Sequence, residues 1–240
     1  MSLATAAPPP TEPPSVAPPT TPPRRTARSA SAAPGLTLTD LAERFGPLPA
    51  ARVLNEPRPG AATREDWEAA NRRGDGLYEL IDGTLIRKAV SDLSSWLGGK
   101  LFRLLGNFAE DGGLGYVHPA DGFFDFSDGL RAPDASFTRL KDRPDGLRER
   151  GYSDVPPALV VEVLSPGNTR REMELKRRIY FAAGVEVVWE ADPGTRTVVV
   201  WTAPDASREL SAENGDTLSG DPVLPGFAVP LAELFARPAA

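Results

Sequence analysis

The chain has no cysteine, one histidine and two methionines among its 240 residues. Without cysteine there is no disulfide, no thiolate zinc or iron–sulfur site and no cysteine nucleophile. With His118 as the lone histidine, a histidine-rich metal site or a Ser-His-Asp triad has little to work with. His118 precedes Pro119 and reads as a structural or surface group. Long apolar runs are missing too: nothing approaches the roughly 20 residues of a membrane span, and no unbroken apolar stretch near the N terminus resembles a secretory signal. A soluble, cytoplasmic protein without a membrane partner is expected. Residues 1–34 lack a core-forming composition, with ten of the 26 prolines and only Met1, Leu3 and Val16 as large apolar side chains. They are expected to be a disordered, Pro-rich tail.

Positive charge is scarce. The formal charge is −6, and the tail holds three arginines against Glu12, so the remaining 206 residues carry −8. Broad affinity for nucleic acid depends on phosphate neutralisation and is disfavoured by that balance. Two local patches run the other way: Arg139 to Arg150 has five basic and three acidic residues, and Arg170 to Arg178 has five and two. Both are expected to flank the strand that carries Glu162.

What is present centres on Leu159 to Asp192, which reads as strand, loop, helix, strand. Leu159 to Leu164 is apolar at every position but Glu162, the pattern of a strand covered on both faces. An ionised carboxylate there must be neutralised, paired or bound to a metal. The helix that follows starts at Asn168 or Thr169 as N-cap, runs from Arg170 to Ala183 and stops at Gly184. At 100° per residue its inner face takes Leu175, Ile179, Ala182 and Ala183, and Glu172 and Lys176 fall inside that arc. Arg177 and Glu174 point away, as a solvated face does. Lys176 therefore aims back at the Glu162 strand, and the bland alternative is a buried ion pair that only ties helix to sheet.

Elsewhere, Leu36 to Phe45 reads as a short amphipathic helix capped by Thr37 or Thr39, and a second helix starts at Thr63 with Asp66 three residues on. Leu77 to Ile81 and Thr84 to Lys88 form a hairpin through Asp82 and Gly83. Glu79 on its first strand reads locally as a solvent-facing residue. A helix over 92–110 follows, then short strands at Tyr116 to His118 and Gly122 to Phe126. Leu130 to Thr138 reads as one strand that Pro133 demotes to an edge or bulge, where Asp134 is re-aimed. Strands at Val185 to Ala191 and Arg196 to Thr202 and a last helical turn at Leu231 to Phe235 complete the chain. The expected domains are 1–34 as tail and 35–240 as one α/β (α+β) domain, with 35–75 as a helical extension.

The order ELIDG, PDASF, then EVLSPGNT with a downstream EM..K…YF and GV..VW..DP, resembles the Uma-type restriction-endonuclease family, a branch of the PD-(D/E)xK nuclease superfamily. The resemblance covers about residues 36 to 236 and implies a restriction-endonuclease-like mixed β-sheet flanked by helices. It implies catalytic residues Glu79, Asp134, Glu162 and Lys176, with Asp134, Glu162 and Glu79 as ligands of magnesium or manganese. In the superfamily's commoner pattern the lysine lies two residues after the glutamate, where this chain has Leu164; here it resembles those members in which the lysine has moved to the next helix. Trp96 stands near where the family often has histidine, Glu172 where many members have Asp, and Val188–Trp189 replaces an aromatic pair. The implied activity is hydrolysis of DNA phosphodiester bonds, with nucleic acid as partner and a homodimer left open. A non-catalytic binding or scaffold module of the same fold is the alternative, as is a phosphodiesterase acting on RNA. On either catalytic reading the acids of Asp134 and Glu162 are expected at one end of the sheet, near the basic loop from Arg139 to Arg150.

Overall fold

In the computed structural model, which describes residues 36–238, five α-helices pack around strands that form a four-stranded, a six-stranded and a two-stranded sheet. The tail at 1–34 lies outside the described residues. Helix α1 (Leu38–Phe45) is capped by Thr37 and α2 (Arg64–Arg72) by Thr63, each in a reciprocal capping box with the aspartate three residues on. Between them, Ala50–Arg52 makes a single 3-10 turn.

The hairpin of β1 (Tyr78–Ile81) and β2 (Thr84–Arg87) turns at Asp82 and Gly83, both with positive φ (44° and 69°), the backbone that Asp-Gly readily adopts. β1 also pairs with β5 (Gly129–Arg131), which pairs with β4 (Phe124–Phe126), so the smaller sheet has the order β2-β1-β5-β4. Gly129 makes this possible. A Cβ on it would lie 1.9 Å from the carbonyl oxygen of Leu80, and its φ of 136° is open to glycine.

The larger sheet has the order β10-β9-β8-β7-β6-β3. Its strands are β3 (Gly115–Pro119), β6 (Ala135–Arg139), β7 (Leu159–Val163), β8 (Val187–Asp192), β9 (Thr197–Ala203) and β10 (Ala206–Ser211). All neighbours are antiparallel except β7 and β8, which are parallel, with Glu162 opposite Glu190. Helix α4 (Arg170–Ala182) makes the crossover between them. Helix α3 (Asp92–Ala109) packs its Leu97, Leu101 and Leu105 with Val161, Val163 and Phe137, on one face of this sheet. The other face holds Val160, Val188 and Tyr180 of α4, together with Phe124 and Phe126 of the smaller sheet. Every residue of β7 is buried, which is why its sequence is apolar throughout except at Glu162. A small ribbon, β11 (Thr217–Ser219) with β12 (Ala228–Pro230), and α5 (Leu231–Leu234) close the α3 side.

One expected element divides. Leu130 to Thr138 is not a single bulged strand: β5 ends at Arg131, β6 begins at Ala135, and they belong to different sheets. Pro133 sits in the break, where it has no ladder hydrogen bond to donate. Asp134 is thus placed at the junction of the two sheets.

Candidate active site

Glu162 projects from β7 toward α4 and is only 4% exposed. Lys176 Nζ donates to both of its carboxylate oxygens at 3.0 Å, and the Tyr180 hydroxyl donates to Oε1 at 2.6 Å. Lys176 and Tyr180 are one turn apart, so a single helical face delivers both donors to one carboxylate. The inward arc expected for Glu172 and Lys176 is observed; both are buried.

Asp134 stands at the same end of the sheet, one residue before β6, with β6 antiparallel to β7. Its Oδ2 accepts from the backbone N–H of Val163 at 2.7 Å, and its Oδ1 accepts from Lys88 Nζ at 2.9 Å. Its side chain is 20% exposed and borders a pocket of about 220 Å³ beneath the start of α3. Lys88, just past β2, is buried and also donates to the carbonyls of Ala132 and Ala120. Glu79 does not face solvent; it is 1% exposed. Its Oε1 accepts from the backbone N–H of Ala132 at 3.1 Å and lies 3.5 Å from Lys176 Nζ, while its Oε2 is 4.0 Å from Arg131. Arg131 in turn bonds Asp128. The smaller sheet therefore supplies Glu79, Lys88 and Arg131 to a site whose centre lies on the larger one.

Burial pushes the Glu162 carboxyl up to about 7; Lys176 pulls it down, Asp134 pushes it up, Lys88 lowers it and Glu79 raises it. Burial works against the charge on Lys176, but the carboxylates of Glu162, Glu79 and Glu172 outweigh it and hold its pKa above the ordinary lysine value. The Glu162 carboxyl is therefore easier to protonate than an ordinary carboxylate, and the lysine stays cationic. Tyr180 is raised by burial and then by the charge of Glu162, so its hydroxyl remains a donor.

Asp134 and Glu162 are the kind of hard donor magnesium takes, one or two carboxylates with several waters and substrate phosphate, but Asp134 borders the pocket under α3 whereas Glu162 turns both oxygens to α4. The two acids feel each other's charge. Glu79 turns its oxygens to Ala132, Lys176 and Arg131 instead. Among the described residues, no three His, Asp or Glu side chains gather closely enough to hold an ion by themselves.

Two expectations about charge are corrected. The basic loop from Arg139 to Arg150 lies at the far end of β6 from Asp134, about 16 Å of strand away at some 3.3 Å per residue. Three of its five cations are partnered there: Arg139 with Glu186, Arg148 with Asp154, and Arg143 buried against Ser153 and Gly146. Arg177 does not point into solvent either, because its long side chain reaches along the sheet to Glu190 Oε1 at 2.6 Å. A helical wheel gives the direction of Cβ but not where a long side chain ends. The sequence reading missed Lys88, Arg131 and Tyr180. Tyr180 could have been found four residues after Lys176, whereas Lys88 and Arg131 have no local signal. His118, on β3, has its ring edge-on to Phe124 at 5.3 Å, and burial lowers its pKa, so it is a neutral packing group.

A mixed, mostly antiparallel sheet whose parallel pair carries a buried Glu and is joined by a crossover helix carrying a buried Lys, with an aspartate on the adjoining strand end, defines a restriction-endonuclease-like fold. Residues 63–232 match the Uma2 family model, described as "Putative restriction endonuclease", and the chain belongs to this family. A solved structure described as a "putative nuclease belonging to DUF820" from Anabaena variabilis is similar, with a TM-score of 0.59 and 17% identity over 67% of this chain and 90% of that one. At that identity the likeness is one of fold. No curated protein matches the chain.

Proposed function

We propose that this protein is a metal-dependent endonuclease that hydrolyses DNA phosphodiester bonds, with magnesium or manganese held by Asp134 and Glu162. The observation that carries the reading is the buried Glu162 carboxylate, shared by Lys176 from the crossover helix and adjoined by Asp134 at the same strand ends. When bound, the ion supplies a water that is nucleophilic near neutral pH and charge to offset that building on the phosphoryl oxygens. Lys176, whose pKa the neighbouring carboxylates raise, orients the attacking water and stabilises the developing negative charge. Glu79 and Glu172 keep that ammonium charged and aimed. Lys88 fixes Asp134 toward Val163. Tyr180 fixes one oxygen of Glu162.

One observation favours a second reading, a non-catalytic scaffold. Both oxygens of Glu162 are already occupied, and the group is almost fully buried. Cleavage of supercoiled plasmid and of DNA and RNA oligonucleotides with millimolar magnesium or manganese separates the two. On the nuclease reading, Glu162→Ala abolishes cutting and Lys176→Met lowers it about 10²- to 10⁴-fold. Magnesium also raises the thermal midpoint of the wild type but not of Asp134→Asn, by mass action on the folded state. If the wild type cuts nothing and neither ion moves its midpoint, the scaffold reading stands. Cutting confined to RNA would instead make it a ribonuclease.

A further inference from the structure

A second cavity, of about 900 Å³, opens where the parallel pair ends. Its walls are the turn after β7 at Leu164–Pro166, the turn after β8 at Asp192–Gly194, and the starts of α3 and α4, which lie on opposite faces of the sheet. In sheets with parallel strands, ligands bind in the crevice beyond the carboxyl ends of the strands. Cavities of this size with a few convergent polar groups are the usual binding sites.

Three groups at its base act together. Glu190 is beside Glu162 in the parallel register and is buried, and desolvation raises its pKa against the opposing pull of Arg177. Arg177 donates to Glu190 Oε1 at 2.6 Å and lays its guanidinium over the Trp201 ring at 3.9 Å. Among the described residues nothing donates to Glu190 Oε2 with hydrogen-bond geometry. The Trp201 indole N–H is near enough to favour the ionised carboxylate but completes no bond, and Arg177 Nε is likewise buried without a partner. These are polar groups with capacity to spare, in a cavity whose other walls include Leu93 and Met173. The charge also selects the occupant. Asp92, Glu190 and Asp192 outnumber Arg170 and Arg177, which disfavours a phosphate inside and favours a flat group that donates hydrogen bonds.

We propose that this cavity receives a nucleobase bearing an exocyclic amine, whose N–H groups are accepted by Glu190 while its ring packs beside Trp201. The proposal rests on the nuclease reading, because the base belongs to the strand whose phosphodiester reaches Asp134 and Glu162. Acidic side chains accept from the amino group of cytosine, and bases outside the stack are read on their pairing edge between aromatic and apolar side chains.

The test is titration of the full chain, without divalent metal, with the 5′-monophosphates of deoxycytidine, deoxyguanosine, deoxyadenosine and thymidine. Binding is read from the indole N–H resonance of Trp201, assigned with Trp201→Phe. At least one amine-bearing nucleotide is expected to shift that resonance saturably, with thymidine monophosphate about tenfold weaker or more. Leu164→Trp, and Leu93→Trp from the opposite wall should the first not fold, are expected to weaken binding at least about tenfold with circular dichroism unchanged. Equal response to all four nucleotides, no response to any, or full binding by the filled variant overturns the proposal. Plasmid cleavage without nucleotide binding overturns the cavity's role alone, whereas binding without cleavage overturns the nuclease reading alone.

Discussion

Glu162 is kept in a place that resists its charge, and this has a consequence for stability. Its carboxyl has an ordinary value of 4.5 and is pushed up to about 7 in the folded protein. A carboxyl raised in this way binds its proton more tightly when folded, so its contribution is fully present below the unfolded value and is lost as pH rises through about 7. Lys176 is raised in the opposite sense for a base; its contribution persists up to the ordinary lysine value and does not change in this window. Urea denaturation of wild type against Glu162→Gln at several pH values is therefore expected to show the wild type losing ground between about pH 4.5 and about pH 7. A difference that stays flat across that range would remove Glu162 as the titrating group. At this scale the sequence was a fair guide where partner and acid are close in the chain, as with Lys176. It failed at Glu79, whose strand neighbours said nothing of the second sheet that buries it.

Among elements, α4 carries the most, since it crosses between the parallel strands and presents Lys176, Arg177 and Tyr180 to them. It is held from a distance by Arg52 of the 3-10 turn, which lies outside the residues that match the family. The buried guanidinium donates to both oxygens of Glu172 at 2.6 and 2.9 Å, to the carbonyl of Gly167 at 2.7 Å and to that of Arg87 at 2.8 Å. Glu172 is one turn before Lys176, and Arg87 directly precedes Lys88. One side chain thus ties the helix of the first lysine to the strand of the second. Burial raises the pKa of Glu172, but the Arg52 hydrogen bonds and the Lys176 charge outweigh it and keep the acid ionised. Arg52→Met leaves that carboxylate buried and uncompensated and is expected to cost about 3–5 kcal/mol, with most of the loss recovered in Arg52→Met/Glu172→Met. Arg52→Lys should also destabilise, because an ammonium cannot reproduce the fork. Chemical denaturation of the three variants checks this, and a double variant no better than the single would show that the pair is not the cause.

At the scale of the whole molecule, α1 contributes Leu41 and Phe45 to the cluster around Ile81 and Ile86. Nothing in the composition of residues 1–34 offers further burial, and ordering them would cost about 1–2 kcal/mol per residue. Deleting them is expected to leave the thermal midpoint unchanged, whereas a cut that also removes α1 and Arg52 should lower it. A large drop on the first deletion would contradict the assignment of the domain to residues 35–240. Among the described residues, no helix is long and apolar enough to cross a membrane.

By itself the sequence determined the elements and the local geometry of the centre: the capped helices, the Asp-Gly hairpin, the buried strand with one acid, and a lysine on the inner face of the next helix. These follow from periodicity, capping and turn chemistry, which act over a few residues. Only the tertiary structure decided that residues 130–138 divide between two sheets at Pro133. The same packing sealed Glu79 and Lys88 inside, and it left the basic loop at the wrong end for the acids while Arg177 turned to Glu190. Each of these depends on which strands become neighbours, and that is set by how apolar faces from distant parts of the chain can be buried together, which no short window of residues encodes.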